Sequence, residues 1–225
     1  MNGVFIVIEG TDGTGKATQT KKLTEYLQAK GCDVAAFDFP QYDSPSSFFV
    51  KEYLNGKYGT EVSPYKASLF YALDRFDAGA KIREALSEGK IVISNRYVAS
   101  NMGHQGGKID DPKRRHDYFK WNDDIEYGIL GIPKPDLNIV LFVPAEIAQK
   151  LVDNKGTREY VGGAKRDLHE KDLSHLKKAE QVYLEIVRLF PNQFTLIDCM
   201  DDDRLMNIDE IHAKVVEVVQ AFLPK

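Results

Sequence analysis

The segment 9-EGTDGTGKATQ-19 carries glycines and a lysine at the spacing G-x-x-x-x-G-K, which suits a loop that grips phosphate. Glycines let the backbone curl so that successive N–H groups point at phosphate oxygens. Lys16 adds a point charge, and a helix opening there contributes its positive end. Gly10, Thr11, Asp12, Gly13, Thr14, Gly15, Lys16, Ala17 and Thr18 form the phosphate-binding candidate set. The bland alternative is a glycine-rich strand-to-helix turn with a surface lysine, and the flanking strand and helix patterns argue against it. One position departs from the motif: Ala17 stands where Ser or Thr would offer a hydroxyl to the metal that travels with ATP. A magnesium ion takes about six oxygens and commonly keeps several waters, so a water can replace one missing hydroxyl. Thr18 follows directly, and its hydroxyl can reach a phosphate.

A second cluster lies in 91-IVISNRYVASNMGHQGGK-108, which delivers Arg96, Tyr97, Ser100, Asn101, His104 and Gln105 over a short span. The segment leaves a strand at its carboxyl end, where open α/β sheets bind ligands. An arginine there can fork onto a phosphate, while amides and an imidazole can read a base or sugar edge. Without the phosphate loop, a polar loop with a surface arginine would be the simpler reading. The stretch 153-DNKGTREYVGGAKRD-167 mixes three glycines with four basic residues and has no periodicity, which describes a mobile loop or a plain surface connection. His169 and His175 are spaced by six, which puts them on different helix faces and disfavours a shared metal. Asp201-Asp202-Asp203 reads as a solvated loop, and Lys113 to His116 is too short a basic cluster to imply nucleic acid.

The elements that must position these residues follow from hydrophobic pattern. Val4 to Ile8 is a continuous apolar run ending at Gly10, which predicts a strand buried on both faces. From Lys16 the apolar positions Leu23, Tyr26 and Leu27 recur at helical spacing, and Gly31 supplies the stop. Asp33 to Phe39 predicts a second strand, broken by Pro40, with a short helix around Phe48 to Leu54. Ser63-Pro64 opens a helix running to Ser87, a hydroxyl cap followed by proline at the first helical position. Lys90–Ser94, Leu137–Val143 and Phe194–Asp198 predict three more strands, with helices over 112–130, 145–153, 168–190 and 207–222. Alternating strands and helices mean right-handed crossovers and a three-layer α/β/α architecture around a five-stranded, mostly parallel sheet.

Composition agrees with one domain spanning 1–225. Of 225 residues, 43% are hydrophobic and 28% charged, an ordinary globular balance. A net charge of −4 offers no basic field for nucleic acid or an anionic membrane. No apolar run approaches a spanning helix, and the first lacks the basic flank of a signal peptide. Cys32 and Cys199 lack metal or redox spacing and fit reduced thiols, so a cytoplasmic protein is expected.

Taken together, EGTDGTGK, Phe39-Pro40, 69-LFYALDR-75, 95-NRYVASN-101 and an arginine-bearing lid before a helix ending YLEI resemble the thymidylate kinase family of P-loop nucleoside monophosphate kinases. The resemblance covers nearly the whole chain. It implies transfer of the γ-phosphoryl group of ATP to dTMP, giving dTDP, with Mg²⁺ as cofactor, a mobile lid over 153–167, and a homodimer. It makes the phosphate-loop set the ATP-binding residues and Lys16 and Arg96 catalytic, joined by a lid arginine for which Arg158 and Arg166 are the two candidates. Gly13 stands where some members carry an arginine, and members without it place the catalytic arginine in the lid. Tyr71 matches the ring stacked on thymine and Arg75 the base-reading arginine, one helical turn apart. From the helix alone, a core Tyr71 and an Arg75 paired with Asp74 or a neighbouring acid would be the simpler reading. Arg96 and Tyr42 match residues that hold the acceptor phosphate, Asp12 the carboxylate near the sugar, and Phe39, Pro40, Asn101, His104 and Gln105 the rest of the substrate site. His104 stands where the family often has tyrosine.

Asn95 is the larger departure, because the family usually has Asp there. A carboxylate roughly 4–5 Å from a doubly charged ion is worth several kcal/mol even at an effective dielectric of about 20. The resemblance leaves the metal's protein contacts open among Glu9, Asp12 and Asn95, with ATP oxygens and water as the main holders. A kinase for another nucleoside monophosphate, dUMP nearest, or a catalytically silent nucleotide-binding switch would be the competing functions.

Overall fold

The computed structural model describes residues 3–59, 61–153 and 173–223. Residues 154–167 of the expected lid, with Arg158 and Arg166, lie outside the described residues, as does His169. Five strands, β1 (Val4–Glu9), β2 (Val34–Asp38), β3 (Ile91–Asn95), β4 (Leu137–Phe142) and β5 (Phe194–Asp198), form one sheet in the order β2-β3-β1-β4-β5. Every pairing in it is parallel. The chain runs outward from β1 to β2, returns to β3, then crosses to the other side for β4. Strand order therefore reverses about β1, and a crevice opens beyond the carboxyl ends of β1 and β3.

The period-two alternation of β1 explains its continuous apolar sequence. Phe5 and Val7 pack with Ala78 and Ile82 of α3 (Pro64–Ser87), on one face of the sheet. Ile6 and Ile8 pack on the other face with Leu23 and Leu27 of α1 (Lys16–Ala29) and with Val215 and Val219 of α8 (Ile208–Gln220). All four strand residues are fully buried, each contributing about 1.5–3 kcal/mol of burial. Their rigidity fixes where the glycine loop begins.

Two helix starts use the same device. Ser63 accepts from the Lys66 N–H ahead of Pro64, and Asp111 accepts from the Arg114 N–H ahead of Pro112, which opens α5 (Pro112–Asp123). α2 (Phe48–Leu54), α6 (Ala145–Asp153) and α7 (Leu173–Leu189) also lie where the sequence places helices. Cys32 and Cys199 are free thiols. Among the described residues, no helix is long and apolar enough to cross a membrane.

Three segments differ from the sequence reading. Val98–Gly106, expected as a polar excursion from β3, is the helix α4. Its Ser100, Asn101, Gly103 and Gly106 are poor helix formers, so packing overrides propensity. A Cβ on Gly103 would lie 2.5 Å from the Tyr183 ring, so the glycine lets α4 approach α7 closely. The helix expected over 112–130 ends as α5 at Asp123 and continues as π-helix over Asp124–Ile129. The aspartates 201–203 sit in a small hairpin, Met200–Asp201 against Arg204–Leu205, where Arg204 pairs with Asp201 and Glu210.

Candidate active site

The loop between β1 and α1 closes on itself through the Thr11 carbonyl. It accepts from the Thr14 hydroxyl at 3.0 Å and from Lys16 Nζ at 2.6 Å. Gly15 caps α1 with φ +87°, no side chain caps the helix, and its first turn holds no acid. The positive end of α1 is thus left for an anion from outside. Gly13, Gly15, Lys16 and Ala17 face a cavity of about 370 Å³. Gly10, Thr11 and Thr14 lie off its wall and shape the loop, while Thr18 is exposed on the first turn of α1.

The cavity runs from the loop past Asp12, Asp38, Asn95 and Arg96 to Phe39, Pro40 and Tyr42. It ends among Tyr71, Arg75, Asn101, His104 and Gln105. Every candidate substrate residue read from the sequence therefore reaches one wall or another. α4, the helix that the sequence did not reveal, supplies three of them.

Arg96 is the junction between the two ends. Its backbone sits at φ +65°, a conformation costly for a residue with a Cβ, and its N–H bonds the Ile8 carbonyl at 2.9 Å. The guanidinium donates to Asp12, to the Gly10 carbonyl at 3.2 Å and to Ser100 Oγ at 3.2 Å. Burial pulls its pKa down, but the Asp12 carboxylate, with Tyr183 and Glu9 behind it, outweighs this and holds it above the ordinary guanidinium value. It also reaches His104 Nε2 at 3.2 Å. Arginine can only donate, so His104 Nε2 accepts and the ring's proton sits on Nδ1, 3.4 Å from His175 Nε2.

Behind Arg96, Glu9 accepts from the Tyr97 N–H at 2.7 Å, the Ser100 N–H at 3.2 Å, Ser100 Oγ at 2.7 Å and Tyr183 Oη at 2.9 Å. The side chain is fully buried and absent from the cavity wall. This corrects its place among the metal candidates: its oxygens are spent on the start of α4 and on α7.

A phosphate loop, a cavity sized for a nucleotide and an arginine joining the two halves meet what three comparisons found. A family model described as thymidylate kinase matches residues 8–210. The chain belongs to the thymidylate kinase family. It is 34% identical to the thymidylate kinase of Mycobacterium tuberculosis over 185 residues, covering 81% of this chain and 85% of that one. It is 32% identical to the thymidylate kinase of Thermoanaerobacter sp., covering 99% and 100%. The solved thymidylate kinase from Candida albicans superposes with a TM-score of 0.76 at 24% identity, over 98% of this chain and 92% of that one. The enzyme class follows: a nucleoside monophosphate kinase, a phosphotransferase.

Family features now acquire physical reasons. Gly13 lies at φ +90°, and a Cβ there would fall on the Ala148 carbonyl oxygen of α6. The backbone of α6 leaves no room for the loop arginine that some thymidylate kinases carry. Arg75 is 2% exposed and bonds Glu126 through two parallel contacts, 2.6 and 2.7 Å long. Burial opposes its charge, and Glu126 more than restores it. The partner acid is thus Glu126, which the π-helical turn presents 51 residues along the chain, and not Asp74. With a third N–H given to the Tyr97 carbonyl, two of the five remain for a ligand at the cavity wall. Asp74 instead accepts from the Gln41 N–H at 2.8 Å and Ser46 Oγ at 2.5 Å, anchoring the loop that bears Tyr42.

The residues fit a divalent cation on one observation in particular. Among the described residues Asn95 Oδ1 is buried without a partner, beside the cavity that Asp12 and Ala17 also line. Magnesium needs few protein ligands when phosphates and water supply the rest.

Two outcomes are expected. Gly13→Ala should lower thermal stability by more than Gly15→Ala, whose Cβ meets no atom of the described residues within 4 Å and costs only the roughly 1–2 kcal/mol of left-handed strain. Equal thermal melts for the two variants would count against the α6 contact. Arg75→Ala should destabilise folding by about 3–5 kcal/mol by stranding Glu126, and adding Glu126→Ala should regain part of that without regaining dTMP affinity. Denaturation with urea and calorimetric titration with dTMP measure the two effects separately.

Proposed function

We propose that this kinase transfers the γ-phosphoryl group of ATP to dTMP, producing dTDP by direct in-line displacement. The observation that carries the reading is the continuous cavity from Lys16 and the open end of α1 to Tyr71, Arg75 and Gln105. Lys16 and the loop N–H groups bind the donor phosphates. Arg96 and Tyr42 hold the acceptor phosphate, and Asp12 restrains the Arg96 guanidinium that does so. The acceptor phosphate is ionised at neutral pH and is itself the nucleophile, so no strong general base is needed. Tyr71 offers a ring face for stacking, with Phe39 and Pro40 completing the wall. Gln105 Oε1 is buried without a partner among the described residues, an acceptor suited to the imino N–H of thymine. Asn101 Nδ2, bonded to Glu126 at 3.0 Å, fixes the same corner. One of Arg158 and Arg166 would neutralise charge on the transferring group. Asp12 and Asn95 would stand beside a bound Mg²⁺ whose other ligands ATP oxygens and water would supply, and the ion would screen the phosphate charge.

The exposed apolar residues of α3 support a homodimer. Tyr65, Leu69, Leu73 and Phe76 fall on one stripe at helical spacing, with Leu73 46% and Phe76 49% exposed. The net charge and the free thiols are consistent with a cytoplasmic enzyme that binds neither nucleic acid nor membrane.

A coupled assay with ATP, magnesium and a panel of monophosphates tests the activity. Turnover should be fastest with dTMP; activity centred on another base, or binding without turnover, would overturn the reading. For the dimer, Leu73→Glu with Phe76→Glu should halve the mass seen by light scattering, and an unchanged mass would remove α3 as the interface.

A further inference from the structure

Asp38 ends β2 beside Asn95, which ends β3, and the two are partners in the parallel register. Asn95 Nδ2 donates to Asp38 Oδ1 at 2.8 Å. Both side chains line the phosphate end of the cavity with Lys16 and Ala17. Given the dTMP kinase reading, we propose that Asp38 is the carboxylate this enzyme turns toward the divalent cation of ATP, with Asn95 as its positioning residue.

Three observations carry this. Among the described residues, no lysine or arginine forms an ion pair with Asp38. Lys16 Nζ donates to the Thr11 carbonyl, and the Arg96 guanidinium donates to Asp12. The carboxylate thus sits on the wall of an anion-binding cleft, where a bare negative charge would repel the incoming phosphates unless a cation lay between them. Second, the hydrogen bond from Asn95 leaves its own Oδ1 buried and, among the described residues, unpartnered, so the pair offers acceptor oxygens that a cation or its waters would satisfy. Third, the contact explains the asparagine. An aspartate at 95 would set two carboxylates within hydrogen-bonding distance, and both could not ionise together. The pair therefore carries one negative charge, placed on β2 instead of β3.

The test is binding of Mn²⁺, followed by electron paramagnetic resonance, to the full chain with dTMP and a non-hydrolysable ATP analogue. Asp38→Asn preserves shape and should weaken Mn²⁺ binding about tenfold or more. In EDTA, with no cation between them, affinity for the analogue should rise in Asp38→Asn, because the carboxylate no longer repels the phosphates. The swap Asp38→Asn with Asn95→Asp should regain most of the loss. Mn²⁺ affinity unchanged within about twofold in Asp38→Asn would overturn the assignment, as would a loss that the swap does not regain. Wild-type turnover of dTMP is measured in parallel: if it is intact while Asp38→Asn binds Mn²⁺ normally, the carboxylate assignment alone fails. Absent turnover would instead strike the kinase reading.

Discussion

The buried carboxylate of Glu9 is the constraint on which the site's geometry depends. It ends β1, where the chain must leave the sheet to form the phosphate loop, and it accepts four hydrogen bonds from the turn after β3, the first turn of α4 and α7. Two of the donors are backbone N–H groups at the start of α4, an end that otherwise leaves unsatisfied donors and positive charge. One side chain therefore aligns the donor loop with the helix that carries Asn101, His104 and Gln105. A carboxylate this deep is tolerated because each oxygen is hydrogen-bonded and Arg96 lies close by. The same bonds keep α4 helical although its composition opposes a helix.

A second buried ion pair divides the labour differently. The two parallel bonds between Arg75 and Glu126 lock α3 to the π-helical turn after α5, and Asn101 joins them from α4. Such a pair is weak evidence for stability, since its desolvation offsets most of the attraction. Its effect here is orientation: the guanidinium has few rotamers left, so its remaining N–H groups are preset at the cavity wall. Asp74, the preceding residue, bonds a different element and ties down the loop bearing Tyr42. Adjacent residues on one helix thus anchor two segments of the cavity wall.

The parts legible in the sequence are those where local pattern and global fold agree. β1, the glycine loop and α1 are read from an apolar run, three glycines at positive φ and helical spacing, because the loop's backbone geometry demands those residue types. α4 was not legible, since its glycines serve close contact with Tyr183 and Phe119 and carry no helical periodicity. Glu126 was hidden because its inward orientation arises from a change of helical period at Asp124, inside a polar stretch. The pairing of Asp38 with Asn95 is illegible for a simpler reason. It comes from the neighbouring strand, and register between β2 and β3 is not written in either segment alone. The structure brings the candidate substrate residues, with Gly13, Gly15, Lys16 and Ala17 of the loop, to the walls of one cavity, whereas the side chains that brace them are not written in local pattern.

Arg96 shows why that bracing matters. A residue with a Cβ at φ +65° would relax into an ordinary turn if nothing held it, at a gain of about 1–3 kcal/mol. Its N–H is held by Ile8, its carbonyl by Ser94 Oγ at 2.7 Å, and its side chain by Asp12, Gly10 and Ser100. Relaxation would break these together. An extended backbone at this point would carry the side chain along the direction of β3 and away from the loop. The left-handed turn sends it back over the carboxyl end of β1 instead, to Gly10 and Asp12. Glycine would adopt the turn without strain but would bring no charge, so the strain is tied to the position of a guanidinium between the glycine loop and α4. Orientation of that kind cannot be recovered by flexibility, and the rigid floor built from Glu9 and β1 is what sustains it.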